Sequence, residues 1–187
     1  MPTTAHVFIA TSLDGYVARA DGNVDWLTEF DRPDEDYGYA AFMDSIDGLI
    51  MGRGTFDVVR RFETWPHEKP VLVASRSIEA ATLPADLADR VQVSAARPED
   101  LLDRAAETDW KRVQVDGARL VQSFLRAGLI SEMTIARVPV LLGSGRLLFG
   151  SLVEDIVLSH VDTRQYPSGL VSSHYRISRH QHDQASA

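Results

Sequence analysis

Short apolar runs alternate along the chain with segments whose apolar residues recur at helical spacing. The runs are rich in strand formers and stay apolar over consecutive positions, as strands covered on both faces do. Pro70 stands near the start of its run, where a missing N–H disturbs a sheet least. We predict strands at His6–Thr11, Leu49–Met51, Lys69–Ser77, Val91–Val93 and Arg112–Val115.

The intervals between these runs carry helix signals. Arg32–Asp36 predicts a helix start, with a proline at the first helical position and acids at the positive end of the helix dipole. A second helix is predicted from Thr55 to Phe62, and a third opens at Arg97–Asp100. A fourth follows Asp116–Ala118 and ends near Gly128, a typical C-terminal glycine. Strands alternating with helices indicate an α/β fold with a mostly parallel sheet.

The last part of the chain has a different pattern. Glu132–Leu142 is an extended apolar segment, and Ile156–Leu158 and Val171–Ile177 predict two late strands. Tyr166–Gly169 between them is a turn signal, so the two strands are expected to form a hairpin. Because no helix separates them, they add an antiparallel edge to the sheet.

The composition sets bounds on the domain count and on the function. The 187 residues suit one domain, 1–187, with the polar residues 179–187 as a frayed tail. A net charge of -8 argues against nucleic acid and against an anionic membrane as partners. Cysteine is absent, so disulfides and cysteine metal sites are excluded. With no secretory signal and no apolar run of ~20 residues, the expected location is the cytoplasm.

Four predicted strands end in turns that carry glycine, charge or small polar residues. These turns are Ala10–Gly15, Gly52–Thr55, Ser75–Arg76 and Asp116–Ala118. Since α/β sheets bind ligands at the carboxyl ends of their strands, we expect the four turns to line one cleft. In the second turn, Arg53 offers a fixed cationic fork, and Thr55 is predicted to cap a helix whose N–H groups attract anions. From this turn alone, an ordinary strand-to-helix connection with a solvated arginine is the stronger alternative.

Several common site signatures do not occur in the sequence. There is no G-x-x-x-x-G-K-[ST] loop and no G-x-G-x-x-G opening a βαβ unit. There is no H-E-x-x-H, and His174, His180 and His182 are expected to be exposed, so we predict no metal site. Ser12 and Asp14 lack a histidine placed to make the serine a nucleophile.

Five motifs in chain order carry a family resemblance. They are Ser12–Ala18, Met51–Thr55, Asp116–Val121, Gly128–Glu132 and Pro139–Gly145. Together they resemble the dihydrofolate reductase-like proteins, and most closely the branch related to the C-terminal reductase domain of bacterial riboflavin biosynthesis. The similarity runs over nearly the whole chain.

The resemblance implies a mostly parallel twisted sheet with one antiparallel edge, flanked by helices, in an NADPH-dependent reductase that forms a homodimer. It also implies the cofactor contacts. Ala10 would contact the nicotinamide carboxamide through its backbone, and Ser75 and Arg76 would bind the adenosine 2'-phosphate. The residues expected at the pyrophosphate and the ribose phosphate are Gly52, Arg53, Gly54 and Thr55. The remaining residues expected at the cofactor are Asp116, Gly117, Ala118, Arg119 and Leu120.

The resemblance further implies two catalytic acids. Asp14 would border the nicotinamide and the substrate. Asp36 best fits the acid that faces the substrate from the second helix, with Asp34 and Glu35 as rivals. The alternative role for these acids is stabilisation of a helix dipole. Asp116 stands where a glycine is usual, so its carboxylate could repel phosphates if it pointed inward.

Two functional hypotheses follow. The first is a reductase that transfers hydride from NADPH to a small heteroaromatic or carbonyl-like substrate. The uracil-reductase step of riboflavin biosynthesis is a less favoured special case, because no deaminase domain with its zinc motif is present. The alternative is a nucleotide-binding or interaction module that keeps the fold without turnover.

Overall fold

The computed structural model describes residues 2–30, 32–79 and 83–178. The strands are β1 (Thr4–Ser12), β2 (Tyr16–Ala18), β3 (Gly48–Gly52), β4 (Val71–Ala74), β5 (Val91–Ser94), β6 (Arg112–Asp116), β7 (Ile130–Val138), β8 (Arg146–Leu147), β9 (Leu158–Gln165) and β10 (Val171–Ile177). The helices are α1 (Asp25–Thr28), α2 (Tyr39–Asp44), α3 (Arg53–Val59), α4 (Pro98–Glu107) and α5 (Ala118–Arg126). The predicted tail, with His180 and His182, lies outside the described residues.

One eight-stranded sheet organises the molecule, in the order β5-β4-β3-β6-β1-β7-β10-β9. The first six strands pair in parallel, whereas β10 is antiparallel to both β7 and β9. This confirms the predicted α/β architecture, the antiparallel edge and the hairpin. A separate two-stranded sheet, β2 with β8, had not been predicted.

Apolar side chains cover both faces of the parallel strands, as the unbroken runs predicted. Successive residues of β3 show this, because Ile50 packs into one core cluster and Leu49 and Met51 into another. Helices α4 and α5 cover the first cluster, which contains the fully buried Phe124. Helix α3 covers the second with Phe56. The carboxyl ends of these strands are thereby left to the loops.

The predicted helix start at Arg32–Asp36 is wrong, because α2 begins only at Tyr39. Tyr37 and Gly38 adopt φ angles of 57° and 83°, a left-handed backbone that a right-handed helix cannot contain. Tyr37 is held in this conformation by its hydroxyl, which donates a hydrogen bond to the Phe30 carbonyl at 2.6 Å. The three acids of this segment therefore lie on a loop.

Three other predicted boundaries, in two elements, also need correction. Helix α3 starts at Arg53 after Gly52, so Thr55 lies inside its first turn and does not cap it. The helix ends at Val59, which leaves Phe62 exposed. Strand β9 starts at Leu158 and not at Ile156. Within the described residues, no helix is both long enough and apolar enough to span a membrane. The cytoplasmic location stays a prediction.

A buried histidine joins the central strand to its neighbour. His6 Nδ1 lies 3.3 Å from Glu132 Oε2, and His6 Nε2 lies 2.8 Å from Thr4 Oγ1. Arg112 and Arg176 also approach the Glu132 carboxylate, at 3.6 and 3.4 Å. Burial, followed by repulsion from Arg112, lowers the pKa of His6 to about 4. The imidazole is therefore neutral at pH 7.

His6→Gln is expected to reduce the loss of stability below pH 6.5. The unfolded chain binds a proton at His6 near pH 6.5 and the folded chain only near pH 4. Between neutral pH and pH ~5, protonation of His6 in the unfolded chain therefore lowers the free energy of unfolding of the wild type by about 2 kcal/mol. Urea unfolding of both proteins at pH ~7.5 and pH ~5 measures the difference. Equal losses in the two proteins would exclude His6 as the group responsible.

Candidate active site

Four turns meet at one edge of the sheet, as the sequence predicted. Strands β4, β3, β6 and β1 are consecutive and parallel, so their carboxyl ends lie side by side. A Cβ atom on Gly117, whose φ is 98°, would lie 2.6 Å from Thr55 Oγ1 and 3.7 Å from Gly52 Cα. A Cβ on Gly52 would lie 3.5 Å from the Asp116 carbonyl and from Leu120 Cβ. The turns after β3 and β6 thus touch through their glycines.

The turns after β3 and β4 each add one arginine to this edge, Arg53 and Arg76. Arg53 Nε lies 3.2 Å from Asp57 Oδ2, and the same guanidinium donates a hydrogen bond to Ser77. The buried Ser75 hydroxyl accepts the N–H groups of Ser77 and Ile78 at 3.2 and 3.1 Å. Arg76 is exposed and makes no hydrogen bond or ion pair within the described ranges. Its guanidinium is available to an anion.

The other predicted cofactor residues lie around the same edge. Ala10 is half-buried at the end of β1 and packs against the small cluster around Trp26. Ala118 begins α5, where Arg119 is exposed. The structure therefore brings the predicted cofactor-binding residues together, and their contacts with a nucleotide stay predictions.

The Asp14 carboxylate is held by neighbouring protein groups. It accepts hydrogen bonds from the Ser12 hydroxyl at 2.6 Å and from the N–H groups of Gly143 and Leu142 at 2.7 and 3.2 Å. The Ser12 hydrogen bond is the main reason why the pKa of Asp14 lies below its ordinary value. Asp14 thus ties the loop after β1 to the loop after β7. Its predicted role beside the nicotinamide remains a prediction.

The three rival acids have separate surroundings. Glu35 accepts hydrogen bonds from the Ser168 N–H at 2.9 Å and from the Ser168 hydroxyl at 2.7 Å. These two bonds connect the loop that carries Glu35 to the turn between β9 and β10. Asp36 accepts the Ala40 N–H at 3.0 Å at the start of α2. Asp34 is exposed. This geometry fits the alternative role of stabilising a helix start, and the catalytic role of Asp36 remains a prediction.

A cavity of about 140 Å³ opens on the sheet face beside this loop. Aromatic side chains from three parts of the chain form its walls, namely Phe8, Tyr37 and Tyr166. The ionisable groups that line it are Asp162, Arg164 and His174. Arg164 Nε lies 3.1 Å from Asp162 Oδ2, so the charges of these two side chains neutralise each other. Sequence reasoning missed Asp162 and Arg164 because β9, which carries both, is polar and has no apolar run.

Two further ionisable side chains, Asp116 and Tyr39, lie close to each other near the cavity. The ring of Tyr39 packs edge-on against Phe8, with centroids 5.4 Å apart, and Phe8 lines the cavity. Burial raises the pKa of Asp116 to about 6. Burial and the nearby Asp116 carboxylate together raise the pKa of Tyr39 to about 12. A carboxyl group that titrates near pH 6 is suited to proton transfer. The sequence placed Asp116 at the cofactor, as a departure from the usual glycine, and gave it no role in proton transfer.

Within residues 2–30, 32–79 and 83–178, no three His, Asp or Glu side chains cluster in a way that could hold a metal ion. His174 is one-third exposed and lies 3.7 Å from the Glu132 carboxylate. The expectation that His174 is exposed is therefore met only in part, because its side chain is mostly covered and lines the cavity.

The parallel sheet, its antiparallel edge and the glycine turns side by side at the strand ends define a reductase-type fold of the dihydrofolate reductase class. A family model for the RibD C-terminal domain matches residues 4–172. The chain therefore belongs to the RibD C-terminal domain family, as the motif series indicated.

Three relatives illustrate the range of similarity. The uncharacterized protein YwjB of Bacillus subtilis is 30% identical over 170 residues, which cover 90% of this chain and 95% of YwjB. The crystal structure of a putative riboflavin biosynthesis protein from Shewanella is 36% identical, with a TM-score of 0.88, and the match covers 95% of this chain and 100% of that one. The Saccharomyces riboflavin biosynthesis reductase Rib7 shares the fold, with a TM-score of 0.59 and 16% identity over 95% of this chain and 90% of that one.

Proposed function

We propose that this protein is an NADPH-dependent reductase that transfers hydride to a small heteroaromatic or carbonyl-like substrate. The observation that carries the proposal is the glycine contact between the β3 and β6 turns, with Arg53 and Arg76 on one side of it. A backbone without Cβ atoms allows close approach by a pyrophosphate, and guanidinium groups complement phosphate charge. When bound, NADPH supplies the hydride.

The chain's own residues have distinct tasks in this proposal. Gly52, Gly54 and Gly117 leave space for the diphosphate, and Arg76 binds the 2'-phosphate. The Ala10 backbone orients the nicotinamide at the end of β1. The half-buried Asp116 holds a proton near the cavity wall. It thereby takes the role of proton donor that the sequence analysis gave to Asp36.

The cavity and the relatives support a substrate class. Phe8, Tyr37 and Tyr166 offer aromatic surface for a flat ring, and Thr134 and Ser172 offer hydroxyl groups for its polar edge. The Shewanella relative carries a putative role in riboflavin biosynthesis, and Rib7 is a reductase of that pathway. We therefore propose a pyrimidine of the riboflavin pathway as the first substrate to test.

Arg76→Ala is expected to remove a preference for NADPH over NADH. The variant loses a charge-assisted contact with the 2'-phosphate, so NADPH binding should weaken roughly 10- to 100-fold while NADH binding stays unchanged. Tryptophan fluorescence titration measures both affinities. Arg97→Ala, which removes another exposed arginine, is the matched control. Absence of NADPH binding by the wild type would refute the proposed function. Binding without turnover on a broad substrate panel would favour the nucleotide-binding module.

We also propose a homodimer formed through the edge strand β9. Strand β10 is not available for this contact, because it lies between β7 and β9 and both of its edges are paired. All eight residues of β9 are exposed, and the apolar Val157 and Val161 are 57% and 45% exposed. A long unpaired edge with apolar side chains is a template for pairing with another chain.

Val157→Asp combined with Val161→Asp is expected to shift the protein from dimer to monomer in sedimentation velocity. The two carboxylates would place like charges across a symmetric interface. Phe62→Asp, a charge on another exposed apolar residue, should leave the dimer intact. A monomeric wild type would contradict the proposal.

A further inference from the structure

The guanidinium of Arg146 lies between two glycines from different parts of the chain. A Cβ atom on Gly22 would lie 2.9 Å from Arg146 Nη2, so a side chain there would displace the guanidinium. A Cβ on Gly54 would lie 3.6 Å from Arg146 Nη1. Arg146 therefore bridges the turn at residues 21–23 and the turn that follows β3.

Several contacts fix this position. In the two-stranded sheet Arg146 pairs with Ala18 and Leu147 pairs with Tyr16. The Asp14 carboxylate holds the start of the same loop by binding the N–H groups of Leu142 and Gly143. These contacts fix the backbone of the loop, and the guanidinium itself packs against Gly22. A guanidinium that is already placed loses less conformational freedom when it binds an anion.

Arg146 also has no carboxylate partner. In the part of the chain that the structure describes, no Asp or Glu oxygen lies within ion-pair distance of its guanidinium, whereas Arg19, Arg53 and Arg112 each have one. This is notable in a chain with 27 acidic and 19 basic residues. A guanidinium placed over a glycine turn without an acceptor has its planar donors available to a phosphate.

We propose that Arg146 binds the pyrophosphate of the dinucleotide, across the Gly52–Thr55 turn from Arg53. This inference rests on the proposed function. Arg53 contacts Ser77 after β4, so it belongs to the side assigned to the adenosine 2'-phosphate. Arg146 approaches Gly54 from the loops that follow β1 and β7, which is the side of Ala10 and the nicotinamide. The pyrophosphate joins these two ends of the cofactor.

Titration of Arg146→Ala with NADPH, NADH and adenosine 2'-monophosphate tests the proposal. Loss of a bidentate contact should weaken NADPH and NADH by the same factor, roughly 10- to 100-fold. Adenosine 2'-monophosphate has no pyrophosphate, so its affinity should not change. Arg146→Lys keeps the charge without the fork and should give an intermediate loss, and Arg97→Ala should match the wild type.

The other outcomes separate the two proposals. Wild-type affinity for both dinucleotides in Arg146→Ala would overturn the role of Arg146 and leave the proposed function standing. If Arg146→Ala weakens the binding of NADPH and adenosine 2'-monophosphate but not of NADH, Arg146 contacts the 2'-phosphate. That result would overturn the assignment of Arg146 to the pyrophosphate. A wild type that binds neither dinucleotide would refute the proposed function and this inference together. Circular dichroism and thermal unfolding of each variant show whether it is folded.

Discussion

Asp116→Asn is expected to lower turnover by roughly 100- to 1,000-fold while NADPH affinity changes little. An amide cannot hold and release the proton that the half-buried carboxyl group carries with a pKa of about 6. In the wild type, turnover should fall as the pH rises through about 6, since the protonated carboxyl is lost there. Steady-state NADPH oxidation, measured against pH with the substrate found by screening, provides the test.

Asp36→Asn is the comparison that decides between the two acids. Asp36 is exposed and its carboxylate accepts the Ala40 N–H, so its amide variant should retain turnover within about tenfold. If Asp36→Asn abolishes turnover and Asp116→Asn does not, the acid predicted from the sequence is the correct one.

The same substitution of Asp116 has a stability readout that needs no substrate. A raised pKa means that the folded chain binds the Asp116 proton more tightly than the unfolded chain between pH 3.8 and about 6. Wild-type stability therefore decreases as the pH rises through this interval, and the ionised group remains unfavourable above it. Asp116→Asn should raise the free energy of unfolding by about 3 kcal/mol at pH ~7 and make little difference at pH ~3.5.

Gly117→Ala is expected to reduce the free energy of unfolding by about 2–4 kcal/mol and to abolish measurable NADPH binding. The new Cβ would meet Thr55 Oγ1 at 2.6 Å, and the φ of 98° is one that alanine rarely adopts. Relief of the collision would separate the turns after β3 and β6. Urea unfolding and fluorescence titration measure the two effects.

Two variants isolate the collision from the backbone strain. Gly128 has a φ of 66°, and no atom lies within 4 Å of the position that a Cβ would take there. Gly128→Ala should therefore cost only about 1 kcal/mol. Thr55→Ala in the Gly117→Ala background should recover part of the lost stability. An equal loss in both glycine variants would show that the contact with Thr55 is unimportant.

Strands of the parallel sheet could be predicted because a strand that is buried on both faces has apolar residues at consecutive positions. Gly48–Gly52 and Val71–Ala74 are examples. Strand β9 has no such run, since all of its residues are exposed. The helix predicted at Pro33 failed because the left-handed backbone at Tyr37 depends on its hydrogen bond to Phe30, a contact that local propensity does not reveal.

The grouping of the four turns at one edge of the sheet could also be predicted from the sequence. Parallel strands place their carboxyl ends together, so turns such as Gly52–Thr55 could be assigned to one edge from their chain positions. The partners of individual carboxylates could not be assigned. Glu35 binds Ser168 across 133 positions of the chain, and nothing near either residue indicates the other.

This pairing of Glu35 with Ser168 has a consequence for how the cavity can vary. The cavity combines a floor on the central sheet, at Phe8 and Thr134, with an outer rim formed by Tyr37 and Tyr166. The rim segments are joined to each other by the two Ser168 hydrogen bonds. Changes in the length of either rim segment would therefore resize the opening while the sheet and the turns after β3 and β6 keep their positions. Under the proposed function, substrate range and cofactor use would then change independently of each other.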